Sequence, residues 1–123
     1  YWQDDPSINQ ELTKHTIKAK LYPFSMKKKD NTKSFVDKNN LIINTEETDM
    51  SINIDNLAIK GTHNVYNSMA AALSASVMNI KKEQIRNSLA DFEGVEHRLE
   101  PVAKVRNVMF INDSKATNVN SCW

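Results

Sequence analysis

The sequence predicts an α/β fold with a mixed sheet, hairpins and helices. Three observations lead there: extended, alternating apolar patterns up to Gly61, a helical period from Thr62 to Phe92, and a return to strand patterns after Gly94. With 123 residues, 40% of them hydrophobic, the chain can form a core of ordinary size.

Tyr1-Trp2 reads as the tail of a strand. Asp5 is placed to cap a short helix over roughly Ser7 to Thr16, with Pro6 suited to its first position. Ala19 to Ser25 is apolar and aromatic enough for a strand, and Met26 to Ser34 is a Lys-rich loop whose Lys27, Lys28, Lys29 and Lys33 read as a solvated face. Ser34–Asp37 and Leu41–Asn44 flank Lys38-Asn39-Asn40, and asparagine tolerates the positive φ of a tight turn, so a β-hairpin is expected. Ser51–Ile54 alternates polar with apolar, and Leu57-Ala58-Ile59 continues extended to Gly61.

From Thr62 the period changes. Tyr66, Met69, Ala70, Leu73, Val77 and Ile80 recur at three- and four-residue spacing, predicting one buried helical face. A second helix over Lys82 to Phe92 would bury Ile85, Leu89 and Phe92 and end near Gly94. Leu99 to Val105 and Val108 to Ile111 then read as strands joined at Arg106-Asn107, and Thr117-Asn118 as the cap of a further helix. The one plausible domain boundary lies around Gly94.

Sixteen Lys plus Arg against fifteen Asp plus Glu leave a formal charge of +1, so no long-range field attracts nucleic acid or an anionic membrane. The longest apolar stretch, Met69 to Met78, contains Ser74 and Ser76 and falls short of the ~20 residues a membrane span needs. A single cysteine, Cys122, cannot form an internal disulfide, and no signal sequence opens the chain, so the cytoplasm is the expected compartment. A start at Tyr1 and a stop at Trp123 suggest a fragment or a processed product. The exposed edges of a truncated sheet would then favour self-association.

Three motifs carry candidate chemistry. Gly61-Thr62-His63-Asn64-Val65-Tyr66-Asn67 sits where strand gives way to helix, and a helix N-terminus offers unpaired N–H groups and partial positive charge. Asn64 and Asn67 share one face, and each amide can donate and accept, as an adenine edge requires. Locally, a turn at Gly61 and a cap at Thr62 or Asn64 explain the same residues at least as well. In Glu93-Gly94-Val95-Glu96-His97-Arg98-Leu99-Glu100, Arg98 can neutralise phosphate charge and His97 can carry a proton near neutral pH. A charged interdomain linker with surface ion pairs is the plainer alternative.

The third motif is Phe110-Ile111-Asn112-Asp113-Ser114-Lys115-Ala116-Thr117-Asn118, polar groups at a strand's C-terminal end, where open α/β sheets place ligands. Asp113 can accept from ribose hydroxyls, Lys115 can hold an anion, and Thr117 can bond a carboxylate. A helix cap accounts for Ser114, Thr117 and Asn118, but not for Asp113 and Lys115 together. No GxxxxGK[ST] loop, Gly-x-Ser-x-Gly, His-Glu-x-x-His or cysteine pair is present.

In order and spacing, the three motifs together resemble the Mur ligase family, and the Asp113-Ser114-Lys115-Ala116-Thr117-Asn118 string resembles its D-glutamate-adding branch. The likeness implies that residues 1–94 are the later part of a central ATP-binding domain. Residues 95–123 would then open a Rossmann-like C-terminal domain on the D-glutamate side. It also implies an ATP-dependent ligase of peptidoglycan biosynthesis that joins D-glutamate to UDP-N-acetylmuramoyl-L-alanine through an acyl phosphate. By the same likeness Asn64 and Asn67 contact the adenine nucleotide, Arg98 with His97 faces the phosphates, and Asp113 holds the ribose. Lys115 and Thr117 lie at the nucleotide and D-glutamate side, which makes His97, Arg98 and Lys115 the candidate catalytic residues. ATP and Mg2+ are the implied cofactors, with the phosphate loop, the Mg2+ ligands and a modified lysine expected before Tyr1, so these residues alone should not catalyse. Two alternatives remain: a noncatalytic nucleotide-binding or interaction module on the same scaffold, and a sister Mur or folylpolyglutamate amide ligase.

Overall fold

A computed structural model describes residues 1–93 and 100–117. The polypeptide divides into two compact units, Tyr1–Phe92 and Glu93–Trp123. The first contains helix α1 (Pro6–Lys14) and strands β1 (Phe24–Ser25), β2 (Ser34–Asp37), β3 (Asn40–Asn44) and β4 (Asp49–Asn53). A 3₁₀ turn (Ile54–Asn56) and helices α2 (Thr62–Val77) and α3 (Lys82–Ala90) complete it. The second contains β5 (Glu100–Val105) and β6 (Val108–Asn112). The architecture is α/β, and the sheet of the first unit is mixed: β1 runs parallel to β2, while β2, β3 and β4 are antiparallel in the order β1-β2-β3-β4.

Helix α1 starts as its sequence dictates, with the Asp5 carboxylate accepting from Ser7 N at 2.7 Å and Ile8 N at 3.1 Å, and Pro6 opening the first turn. Of the expected Ala19–Ser25 strand only Phe24 and Ser25 pair. Pro23 has no N–H to donate to a ladder, and Leu21 is exposed, so the preceding segment has no partner strand. Tyr1-Trp2 forms an isolated parallel bridge to Phe24, reinforced by Gln3 N to Phe24 O at 2.8 Å and Phe24 N to Tyr1 O at 3.0 Å.

The β2–β3 hairpin is present, but its positive φ belongs to Lys38 (53°) and not to an asparagine. Asn39 secures the turn from outside. Its carbonyl accepts from Ile54 N at 2.9 Å and its amide donates to Asp55 Oδ2 at 2.6 Å. Leu57-Ala58-Ile59 is not a strand. The 3₁₀ turn ends the ladder, Leu57 is buried in the core, and Ala58 N donates to Leu89 O of α3 at 2.9 Å, which takes the segment away from the sheet.

Alternation sets the sheet side of the core. Leu41 and Ile43 of β3 lie opposite Ile52 and Met50 of β4, and all four are buried on one face. Helix α2 covers that face with Val65, Ser68, Met69, Ala72, Leu73 and Ser76. Met69 and Leu73 belong to the expected stripe, but Tyr66, Ala70 and Val77 are only partly buried and Ile80 is exposed. Small residues at four-residue spacing, Ser68, Ala72 and Ser76, let the helix approach closely, which turns the contact face away from the bulkier Tyr66 and Val77. Ser76 is satisfied within the helix, its hydroxyl donating to Ala72 O at 2.8 Å.

The α2 helix ends in a Schellman arrangement: Asn79 at φ 59°, Asn79 N to Ser76 O at 3.0 Å and Ile80 N to Ala75 O at 3.0 Å. Helix α3 adds Ile85 to the core with Leu89 against it, whereas Phe92 is exposed because Asp91 N caps onto Asn87 O and the helix stops at Ala90. In the second unit β5 and β6 pair antiparallel around Arg106 (φ 47°) and Asn107 (φ 65°), with a bulge between Pro101 and Ala103. Helix α3 thus ends before the anticipated stop near Gly94, and Asn118 of the expected cap lies outside the described residues.

Met69 is fully buried where α2 meets the sheet. Met69→Ala is expected to destabilise the fold by about 2–5 kcal/mol, read as a lower urea midpoint at unchanged m-value. A surface change such as Lys38→Ala should cost about 1 kcal/mol or less.

Candidate nucleotide-binding site

Helix α2 opens on Gly61, whose φ of 95° and ψ of 154° bring the chain into the helix from a conformation that favours glycine. No side chain caps it, which corrects the capping role considered for Thr62 and Asn64. The Gly61 carbonyl instead accepts from Asn64 N at 3.0 Å and Val65 N at 3.1 Å. Asn64 turns back, its amide donating to Lys60 O at 2.7 Å, and Lys60 Nζ reaches Asp55 O at 2.5 Å. The Thr62 and His63 N–H groups have no acceptor earlier in the helix, and both residues are exposed. Asn67, one turn further on the same side as Asn64, is also exposed. This end of α2 therefore offers helix-terminal donors, the remaining acceptor of Asn64 and both functions of the Asn67 amide.

In the second unit, the chain leaves β6 in a tight turn. Asn112 Oδ1 accepts from Ser114 N at 3.2 Å, and Asp113 O accepts from Ala116 N at 2.9 Å. Asp113 is half-buried, while Lys115 and Thr117 are exposed. The turn gathers a carboxylate, an ammonium and a hydroxyl within five residues, Asp113 to Thr117. Asn64 and Asn67 thus share one helix end in one unit, and Asp113, Lys115 and Thr117 share one turn in the other. His97 and Arg98 lie outside the described residues.

A cluster that the motifs did not reveal centres on Asp4. Its carboxylate accepts from Trp2 Nε1 at 3.1 Å, Ser25 Oγ at 2.8 Å and Met26 N at 3.1 Å, and it pairs with Lys29 Nζ. Lys29 makes this pairing while remaining on the solvated lysine face, and Lys28, also exposed, lies 5.4 Å from the Phe35 ring centroid. Partial desolvation alone would raise the Asp4 pKa. The bonds from Lys29, Ser25, Met26 N and Trp2 outweigh it and hold the group at about 2. The Trp2 ring meets Tyr66 of α2 edge-on, centroids 5.0 Å apart at 62°. Burial, and secondarily the Asp4 charge, push the Tyr66 hydroxyl pKa up. The sequence signal is the acidic pair Asp4-Asp5, of which helix capping uses only Asp5.

No protein-family model matches the chain. Among curated proteins, the chain is 54% identical over 123 residues to the UDP-N-acetylmuramoylalanine–D-glutamate ligase of Bacteroides fragilis. Over its full length it is also 46% identical to the ligase of that name from Porphyromonas gingivalis and 41% identical to that from Christiangramia forsetii. Along its whole length the chain is thus similar to this ligase family, the MurD ligases. It spans 28% of the length of these relatives. The matches to the MurD ligases run through all three motifs, since they cover the whole chain. Among the described residues no helix is long and apolar enough to cross a membrane.

A carboxyl held at about 2 binds fewer protons in the folded than in the unfolded state. Its stabilisation is therefore fully present above roughly pH 4 and is lost as pH falls through about 2. Asp4→Asn is expected to lower stability at pH 7 and to flatten the fall in urea midpoint between pH 4 and pH 2. An unchanged acid slope would remove Asp4 from this role.

Proposed function

We propose that the chain is the adenine-nucleotide-contacting part of an ATP-dependent ligase that joins D-glutamate to UDP-N-acetylmuramoyl-L-alanine. The observation that carries this reading is 54% identity, along the entire chain, to a protein of that name. Residues 1–94 would belong to the central ATP-binding domain and residues 95–123 to the C-terminal one. The exposed apolar residues of the second hairpin, Val102, Val105, Val108, Met109, Phe110 and Ile111, support the view that its strands belong to a larger sheet.

In the proposed reaction a substrate carboxylate oxygen attacks the γ-phosphorus of ATP, the bond to the β,γ-bridging oxygen breaks, and ADP leaves. The amine of D-glutamate then attacks the acyl phosphate carbonyl. The tetrahedral adduct collapses to the amide with loss of inorganic phosphate and a proton. Asn67, and Asn64 through its remaining acceptor, read the adenine edge at the opening of α2. Asp113 accepts from the ribose hydroxyls. Arg98, with His97 beside it in sequence, faces the phosphates, where a fixed cation stabilises developing charge. Lys115 holds an anionic group at the phosphate and D-glutamate side, and Thr117 donates to the D-glutamate carboxylate.

Bound Mg2+ would neutralise phosphate charge. By the family likeness its ligands are expected in the remaining length of the ligase. An enzyme using ATP and a nucleotide-linked precursor would work in the cytoplasm.

A D-glutamate-dependent ADP-release assay tests these assignments. In the full-length enzyme, Asn67→Ala should raise KM for ATP by about 2- to 10-fold, the loss of one or two neutral hydrogen bonds. Lys115→Ala should lower kcat/KM by about 100-fold or more. Residues 1–123 alone should release no ADP above background. Equal activity with L-lysine or meso-diaminopimelate in place of D-glutamate would favour a sister ligase. Nucleotide binding without any ADP release by the full-length protein would favour the noncatalytic module.

A further inference from the structure

We propose that Trp2, fixed by Asp4, is a positioning residue for the nucleotide-contacting turn of α2. This rests on the nucleotide reading of Asn64 and Asn67 given above.

Three observations carry it. First, the opening of α2 is weakly secured, since Gly61 supplies no side-chain cap and the first turn has no acidic residue to complement the helix dipole. Second, Tyr66, which sits between Asn64 and Asn67, is the residue Trp2 braces, ring edge to ring face at 5.0 Å. Third, Trp2 does not serve the core, as 36% of its surface remains exposed. Its indole is nevertheless held in one orientation by the Nε1 bond to Asp4 at 3.1 Å. Asp4 in turn is fixed by Ser25 on β1, by Met26 N and by Lys29.

The result is a rigid lateral support running from the edge strand β1 through Asp4 and Trp2 to Tyr66. Without it Tyr66 can change rotamer and the first two turns of α2 can shift on the sheet. Met69 and Leu73, deeper in the core, would hold the rest of the helix in place. Displacement at the helix opening should weaken nucleotide binding selectively and leave D-glutamate binding alone.

Steady-state kinetics of the full-length enzyme test this, using Trp2→Ala, Trp2→Phe, Asp4→Asn, Asn67→Ala and the Trp2→Ala/Asn67→Ala double variant. Loss of an aromatic pair predicts a rise of about 3- to 10-fold in KM for ATP for Trp2→Ala. A smaller rise is expected for Asp4→Asn and for Trp2→Phe, which keeps a ring but not the Nε1 bond. KM for D-glutamate and kcat should stay within about twofold, and the double variant should be less impaired than the product of the single effects. An unchanged KM for ATP in Trp2→Phe and Asp4→Asn, with a raised one in Asn67→Ala, overturns the brace and leaves the nucleotide reading standing. An unchanged KM in Asn67→Ala removes the nucleotide reading and the brace with it. Parallel losses in kcat and in both KM values, tracking a lower melting temperature, would make Trp2 merely structural and also overturn the proposal.

Discussion

The first unit depends on the seating of one helix on one sheet face. Leu41, Ile43, Met50 and Ile52 present a flat apolar surface because β3 and β4 keep strict alternation in register. Met69 and Leu73 press onto it from a helix whose other contact positions are Ser68, Ala72 and Ser76. Small side chains there let the helix backbone come close, so the larger ones can reach the strands. The position of the α2 N-terminus, and of everything proposed to bind there, follows from that seating. A glycine entry suits such an end: Gly61 turns the chain sharply, and nothing lies within 4 Å of where a Cβ would stand, so its requirement is conformational and not steric.

Elements governed by local rules were legible in the sequence. Asp5-Pro6 specified the start of α1, Arg106-Asn107 the second hairpin turn, and the three- and four-residue spacing after Thr62 the existence of α2. Features governed by tertiary partners were not. Leu57-Ala58-Ile59 has strand composition, yet a hydrogen bond to α3 claims Ala58 and the core claims Leu57. Lys38 accepts a left-handed conformation because Asn39 is committed to Asp55 and Ile54, contacts that no local pattern reveals. The rotation of the α2 face has the same origin. Periodicity weights bulky apolar residues, whereas close packing selected serines and alanines.

The candidate site divides in the same way. Residue types at a helix opening and at a strand end announced where polar chemistry is concentrated, and family resemblance supplied roles for them. The sequence did not reveal that Asn64 and Asn67 are unequal partners. Asn64 uses its amide donor on Lys60 O, which ties it to the turn below the helix, while Asn67 stands exposed with donor and acceptor both available. A pair that looks symmetrical in sequence is one structural side chain with a spare acceptor and one exposed amide.

That asymmetry bears on how the helix end can be specific without being rigid by itself. An exposed amide discriminates between ligands only if its own position is fixed, because freedom at the Cα would let it follow either donor pattern. The α2 opening lacks the usual side-chain cap, so fixation must come from its flanks: Lys60 and Asp55 below, and the Trp2–Tyr66 contact at the side. The Asp4 carboxyl keeps its charge well below neutral pH, so the lateral contact has the same strength across the physiological range. A neutral side chain at position 4 would lose the Lys29 pairing and weaken the bonds from Ser25 and Trp2. Charge at Asp4 is thus what turns a surface tryptophan into a fixed support for the helix end.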